Sequence, residues 1–491
     1  MDMKNVTPES VGVHSAAVEE YLRVLDRNHL CTHDVLIARG NDLLLETYVK
    51  PFHKDFLHRE YSVTKSFVAL AVGFAAEDGL LSLDDPVEKY FAKELENQTD
   101  KNMRAQTIRQ MMMMSTAKTA QNWFAAKPED RVQYYFDNPT ASRPAGSYFE
   151  YDSSGTFVVG SLIERLTGKN IVEYLREKML DKIGVSKEAK MLFCPGGHSW
   201  SDSAFLMKPI DLMLSARFVL NGGSWDGEQI LDKNFVKDAT SKLIGNDEGT
   251  GAVNEQGYGY YFWKTWGEGF FFNGMGCQFA VCVPEKDMIL VYNGDNQGNE
   301  TAIHTVIGKF FELVVEDAGG KLPEDEKAFK SLQDYADNMV LTYAWGETKN
   351  PLLDKICGKT FVCKDNPMGI KNFTLRFEGD KGIFAYKNQQ GDKAFAFGLG
   401  HNEFGKFPQA GYSDTVGTRP GKHLYGCAAS GAWKSDHELW LKVQLIDDYF
   451  GNFDAYFTFT DDFSVVKLKM EKTAEDFLDE YQGTAIGLIK K

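Results

Sequence analysis

The chain has 491 residues, too many for one ordinary hydrophobic core, so two domains are the expectation. Its 43% hydrophobic and 25% charged residues make a globular balance, and a formal net charge of −16 excludes the basic face of a nucleic-acid binder. Seven cysteines without a Cys-x-x-Cys pair argue for reduced thiols rather than a disulfide framework. The opening "MDMKNVTPESVGVHS" has no apolar leader segment. The most apolar stretch, 67–76, is too short to cross a bilayer and closes at Glu77-Asp78. A cytoplasmic protein without membrane or nucleic-acid partners is expected. Scattered histidines and the lack of a His-Glu-x-x-His or EF-hand pattern give no reason to expect a metal or other cofactor.

In chain order, "HDVLIARGNDLLLETYV" (33–49) reads as a hairpin, two apolar runs around Gly40-Asn41-Asp42. The segment after Ser62 is apolar on nearly every face, as in a helix inside a large core. "SSGTFVVGSLIERLTG" (153–168) has helical spacing and stops at a glycine. Residues 268–296 read as two strands joined at Pro284-Glu285-Lys286-Asp287, and 300–317 as a helix. Strands early and late with helices between them predict an α+β domain over 1–320 whose sheet is completed by both ends. Residues 321–350 are charged and read as a helical linker. From 351 to 491 the alternation in "FTLRFEGDKGIFAYKNQQGDKAFAFGLG" and "FDAYFTFTDDFSVVKLKM" predicts an antiparallel β domain, a small barrel or curved sheet.

"REYSVTKSFVALAVGFAAEDG" (59–79) sets a serine and a lysine three apart at the head of the buried helix. Residues i and i+3 share a helix face, so Ser62 and Lys65 can meet. A serine hydroxyl is a weak nucleophile until a base takes its proton, and desolvation favours the neutral lysine that could do so. The free N–H groups of the helix N-terminus add a field suited to an oxyanion. The Ser-x-x-Lys pattern recurs at Ser115–Lys118 and Ser464–Lys467. The last lies in a strand pattern, where positions i and i+3 face opposite ways. The middle pair has no apolar helix after it and reads as a solvated loop or frayed helix end.

The stretch "YSVTKSFVALAVGFAAEDGLLSLDDPVEKYF" resembles the active-site helix of the serine β-lactamase and penicillin-binding protein superfamily. The resemblance is to the class C β-lactamase-like branch, with its family VIII carboxylesterases, D-aminopeptidases and 6-aminohexanoate-dimer hydrolases. "TPESVGVHSAAVEEYL", "TIRQMMMMST" and "LNGGSWDGEQIL" are similar to other segments of that branch, extending the resemblance through most of residues 7–310. It implies a β-lactamase-like fold, an antiparallel sheet with a helical subdomain. It also implies an acyl-enzyme on Ser62, with Lys65 and the Tyr151 of Tyr151-Asp152-Ser153 as proton shuttle. Tyr148 competes for that place but has no serine two positions on. Ser153 would contact substrate or Lys65. The third motif departs from Lys-Thr-Gly or His-x-Gly: "FFFNGMGCQFAVCVPEKD" looks like a Gly-x-x-Gly-Gln variant, with Gly274 and Gln278 in place and Cys277 where glycine is usual. By resemblance Asn273 and Gly274 line the substrate, and the backbone N–H groups of Ser62 and Met275 form the oxyanion hole. The strand carries no cation to grip a β-lactam carboxylate. Trp263, Trp266 and Phe270 to Phe272 either wall an acyl pocket or belong to the core.

The reading is therefore a serine hydrolase for a small ester or amide. The alternatives are a β-lactamase or D-aminopeptidase, or a penicillin-recognising module that binds without turnover. The C-terminal domain could cap the pocket or mediate a homodimer.

Overall fold

Strands from opposite ends of the first unit lie side by side. Thr32–Arg39 pairs antiparallel with Met288–Gly294, setting Ile37 opposite Leu290 and Val35 opposite Tyr292. All four side chains are inaccessible to solvent. This computed structural model describes residues 3–490 apart from 121–125, 127, 138–141, 410–423 and 476. Its sheet has seven strands in the order Lys4–Asn5, Asp42–Tyr48, Thr32–Arg39, Met288–Gly294, Gln278–Val283, Phe270–Gly274 and Trp263–Lys264. Only the first pairing is parallel. The region 268–296 thus holds three strands, not two. The extra reversal is a short turn, Met275-Gly276-Cys277, made possible by positive φ at Gly276 (80°) and Cys277 (73°).

The helix Val63–Glu77 has no exposed face, and each residue from Val63 to Ala75 is buried. It packs against the helix Ser153–Thr167 and the strand Phe270–Gly274. Pro209–Leu220 covers the central strands. Residues 302–315 are helical as expected, with wide turns at His304–Gly308 and Phe311–Val315. Among the described residues no helix is long and apolar enough to cross a membrane.

The two compact units are Met1–Val340 and Leu341–Lys491, so their boundary falls inside the segment read as a linker. The helix within that segment, Glu326–Asp337, belongs to the first unit, where the Ala336 carbonyl accepts from Thr47 Oγ1 at 3.0 Å. The second unit is a closed barrel. Nine antiparallel-wound strands from Thr360–Cys363 to Gly483–Ile489 close where Gly391–Leu399 meets Gly426–Ser435 in a short parallel pairing, with Glu403–Lys406 beside the seam. Alternate residues point inward, and the buried rings of Phe373, Phe384 and Phe457 meet edge to face at separations of 5.2 to 5.8 Å. The first unit is β-lactamase-like and the whole chain α+β with a C-terminal barrel.

Candidate active site

Ser62 is the residue at which the buried helix begins, with helical φ and ψ of −68° and −8°. Serine at such a position usually turns its hydroxyl onto the first N–H groups of the helix. Here it makes no such cap bond. Its Oγ instead accepts from Lys65 Nζ at 2.8 Å. One turn into the helix Lys65 is only 1% exposed, and Nζ also donates to the Asp202 carbonyl at 2.7 Å. The Lys65 nitrogen is thus held from two sides, by the serine and by a backbone oxygen from a distant loop. Tyr61, immediately before the serine, has φ of 45°, which a bulky residue adopts only when its surroundings impose it.

Tyr151 reaches the same place from another element. It stands just before the helix Ser153–Thr167, whose N-terminus is capped by Asp152 accepting from Gly155 N at 3.1 Å. The preceding backbone is tied to 112–117: Glu150 N donates to the Met114 carbonyl at 2.8 Å. Lys65 Nζ lies 4.9 Å from the centre of the Tyr151 ring, and Trp263 lies against that ring at 5.7 Å. Ser62, Tyr151 and Trp263 are all half-buried, so the group opens to solvent above a buried lysine. Phe270, Phe271 and Phe272 are core residues, whereas Trp266 is partly exposed and packs on Phe311.

The third segment approaches from the sheet. A Cβ on Gly274 would lie 2.3 Å from the Glu60 carbonyl, so only glycine lets this strand end sit against the chain entering Ser62. Ser153 and Asn273 are half-buried, and among the described residues neither side chain bonds to Ser62, Lys65 or Tyr151. The competitor Tyr148 is 51% exposed and its hydroxyl accepts from Arg143 Nη1 at 2.5 Å, away from Lys65.

The second Ser-x-x-Lys pair corrects the expectation of a solvated loop. Ser115 and Lys118 are both fully buried. They do not pair with each other: Ser115 Oγ donates to the Gln110 carbonyl at 2.9 Å, and Lys118 Nζ donates to the Tyr135 carbonyl at 2.7 Å. Desolvation draws the Lys118 ammonium down to about 7, against the opposing pull of Asp152. The segment is buried because Thr116 folds beneath the helix that follows Tyr151, its Oγ1 donating to Asp152 Oδ2 at 3.3 Å.

Beneath the site lies a group of buried acids. Glu60 is fully buried and burial pushes its carboxyl well above the usual range, with Asp34 and Asp211 adding to the effect. Asp34 is raised to about 8, again mainly by burial, although Asn293 Nδ2 donates to it at 3.0 Å. Among the described residues no His, Cys, Asp and Glu side chains group in a way that would hold a metal ion.

The sequence carried no signal for the Asp202 carbonyl, since any residue supplies one. It also missed the anchoring of the Met275 turn, where Gln278 Nε2 donates to the Met275 carbonyl at 2.5 Å.

A mostly antiparallel sheet packed on a buried helix, with Ser-x-x-Lys at its start and a tyrosine ring over the lysine, defines a protein of the β-lactamase-like class. Residues 27–187 match the family model described as Beta-lactamase, which supports placing this part of the chain with the hydrolases related to the serine β-lactamases and penicillin-binding proteins. A 6-aminohexanoate-dimer hydrolase from Paenarthrobacter ureafaciens is 25% identical over 281 residues, covering 53% of this chain and 72% of that one. A solved structure from Bacillus anthracis, assigned as a 6-aminohexanoate-dimer hydrolase, shares 18% identity with a TM-score of 0.53, over 66% of this chain and 89% of that one. The structure of SurE with D-Leu is similar over 96% of this chain and 99% of its own, at 13% identity and a TM-score of 0.50, so the likeness in fold reaches the second unit.

Proposed function

We propose that this protein hydrolyses a small ester or amide through an acyl-enzyme on Ser62. The observation that carries the reading is the 2.8 Å approach of Lys65 Nζ to Ser62 Oγ, with the same nitrogen tethered at 2.7 Å to the Asp202 carbonyl. In its neutral form the amine keeps an N–H for that carbonyl and turns its lone pair to the serine. Ser62 Oγ attacks the substrate carbonyl as its proton passes to Lys65. The oxyanion is received by the backbone N–H groups of Ser62 and Met275. Tyr151, beside the ammonium, relays the proton to the leaving alcohol or amine, and the C–O or C–N bond breaks. Water then attacks the acyl-enzyme, giving its proton back through Tyr151 and Lys65, and releases the acid and free Ser62.

The strand Phe270–Gly274 and its turn offer no lysine or histidine beside the serine, which favours esters and amides over β-lactams carrying a carboxylate. The Paenarthrobacter relative is named for a dimer of 6-aminohexanoate, which supports testing amide substrates alongside esters. Ser153, Asn273 and Gly274 are proposed to line the substrate, and cytoplasmic placement and a homodimer remain part of the proposal.

The test is hydrolysis of p-nitrophenyl acetate and butyrate by wild type and by Ser62→Ala, with fluorophosphonate labelling mapped by peptide mass spectrometry. Turnover lost in the variant and a label on Ser62 support the reading. A label on Ser115, or full activity in Ser62→Ala, overturns it. A single acylation without product release would identify a binding module instead.

A further inference from the structure

Three residues before the nucleophile stands Arg59, fully buried in the short strand His58–Arg59. A guanidinium removed from water needs dense compensation, and the arrangement here is specific. Its Cζ lies 4.2 Å from the centre of the Tyr61 ring and 4.6 Å from that of Trp200, so the flat group is held between two aromatic faces. Its edge is occupied too: Nε donates to the Ser203 carbonyl at 3.0 Å and Nη2 to Ser203 Oγ at 3.3 Å.

These four contacts connect the two pieces of chain that fix the Ser62–Lys65 pair. Tyr61 is the residue whose left-handed backbone turns the chain into the helix at Ser62. Residues 200–203 carry the Asp202 carbonyl that holds Lys65. The same loop is pinned from behind at Gly160, where a Cβ would lie 2.1 Å from Ser201 Oγ. Around the clamp the backbone continues the connection: Glu60 N donates to the Phe205 carbonyl at 2.8 Å, and Phe205 N to Thr64 Oγ1 at 3.0 Å. Without the guanidinium, the serine and the lysine's tether would therefore be freer to move relative to each other.

We infer that Arg59 is the positioning residue of this site, a clamp that sets the Ser62–Lys65 separation by holding Tyr61 and the 200–203 loop at once. The inference rests on the hydrolase reading and adds a residue that does not touch the substrate. Lysine cannot replace it, because an ammonium lacks the flat surface for two rings and the fork for Ser203.

The experiment compares Arg59→Lys with wild type for p-nitrophenyl acetate turnover, for the rate of fluorophosphonate labelling of Ser62 and for the folded fraction by circular dichroism. Displacement of a reacting pair by about 1 Å costs about 10²-fold, so kcat and the labelling rate per folded molecule are expected to fall together by about that factor while KM stays within about twofold. Should Arg59→Lys fail to fold, Trp200→Phe keeps a ring beneath the guanidinium and carries the same measurement, with a smaller joint fall. Rates per folded molecule equal to wild type overturn the inference and leave the hydrolase reading intact. A wild type that neither turns over nor labels at Ser62 defeats both, and is recognised because it fails before any Arg59 variant is made.

Discussion

The side-chain amide of Gln278 donates to the Met275 carbonyl at 2.5 Å, and its own oxygen accepts the Gly294 N–H at 3.0 Å. One fully buried side chain thereby joins the turn after Phe270–Gly274 to the end of the strand Met288–Gly294, which pairs with Gln278's own strand, and holds the peptide that follows Met275. If the N–H of Met275 serves the oxyanion, Gln278 restrains that donor indirectly, by fixing the next peptide of the same tight turn. Gln278→Met keeps the length and loses both bonds. Misdirecting one oxyanion donor costs up to about 10²- to 10³-fold in kcat, so a fall of at least tenfold with little change in KM is expected from steady-state p-nitrophenyl acetate kinetics. An unchanged kcat in a folded variant would remove Met275 from the mechanism.

The two tyrosines near the site separate cleanly. Tyr151→Phe deletes only a hydroxyl and keeps the ring against Trp263 and Lys65. A general acid–base group contributes about 10²- to 10⁴-fold, and a kcat loss in that range is expected with the melting temperature nearly unaltered. Tyr148→Phe, which breaks only an exposed contact with Arg143, should leave kcat at the wild-type level. The reverse ranking would transfer the proton shuttle to Tyr148.

Much of this site was legible because its logic is local. Ser62 and Lys65 meet through helical spacing, and an all-apolar helix can be recognised from its composition alone. Strand alternation likewise announced the barrel, although its closure depends on a two-residue parallel pairing, Gly398 with Ser430 and Leu399 with Gly431, that no local pattern encodes. The contributions that stayed hidden are long-range or belong to the backbone. Asp202 acts through its carbonyl, and Arg59 acts through Ser203, far along the chain. Lys118 was misread because burial depends on what covers a segment. Its cover is supplied by Tyr135 and the helix after Asp152.

Gly274→Ala tests the fit of the third segment. The added methyl would lie 2.3 Å from the Glu60 carbonyl and 2.9 Å from Gln278 Cβ, and the first of these is backbone that cannot swing aside. Overpacking of this kind typically costs about 1–3 kcal/mol, and urea unfolding should register a loss of that size or larger. Because the displaced backbone leads directly into Ser62, kcat should fall beyond what the change in folded fraction explains. A variant as stable and active as wild type would mean that the strand end does not press on residue 60.

The buried acids make a pH prediction whose sign follows from burial. Asp34 is almost inaccessible and is raised to about 8, chiefly because desolvation disfavours its charge. In the unfolded chain an aspartate titrates near 4. Between these values the folded protein holds a proton that the unfolded chain releases, so Asp34 contributes stability in full below about pH 4 and loses it as pH rises through about 8. The limiting slope is about 1.4 kcal/mol per pH unit for one such group. Glu60, also raised, acts with the same sign, whereas Lys118, drawn down to about 7, favours the folded state increasingly from there towards the ordinary lysine value. Comparison with Asp34→Asn removes the first contribution together with the part of the Glu60 shift that Asp34 causes, since the amide cannot titrate. Urea melts of both proteins at intervals from about pH 5 to about pH 8 should show the variant gaining stability relative to wild type with every step upward. A difference that stays constant across that range would mean that Asp34 is already ionised beside Asn293, and the proton assigned to it would have to be given up.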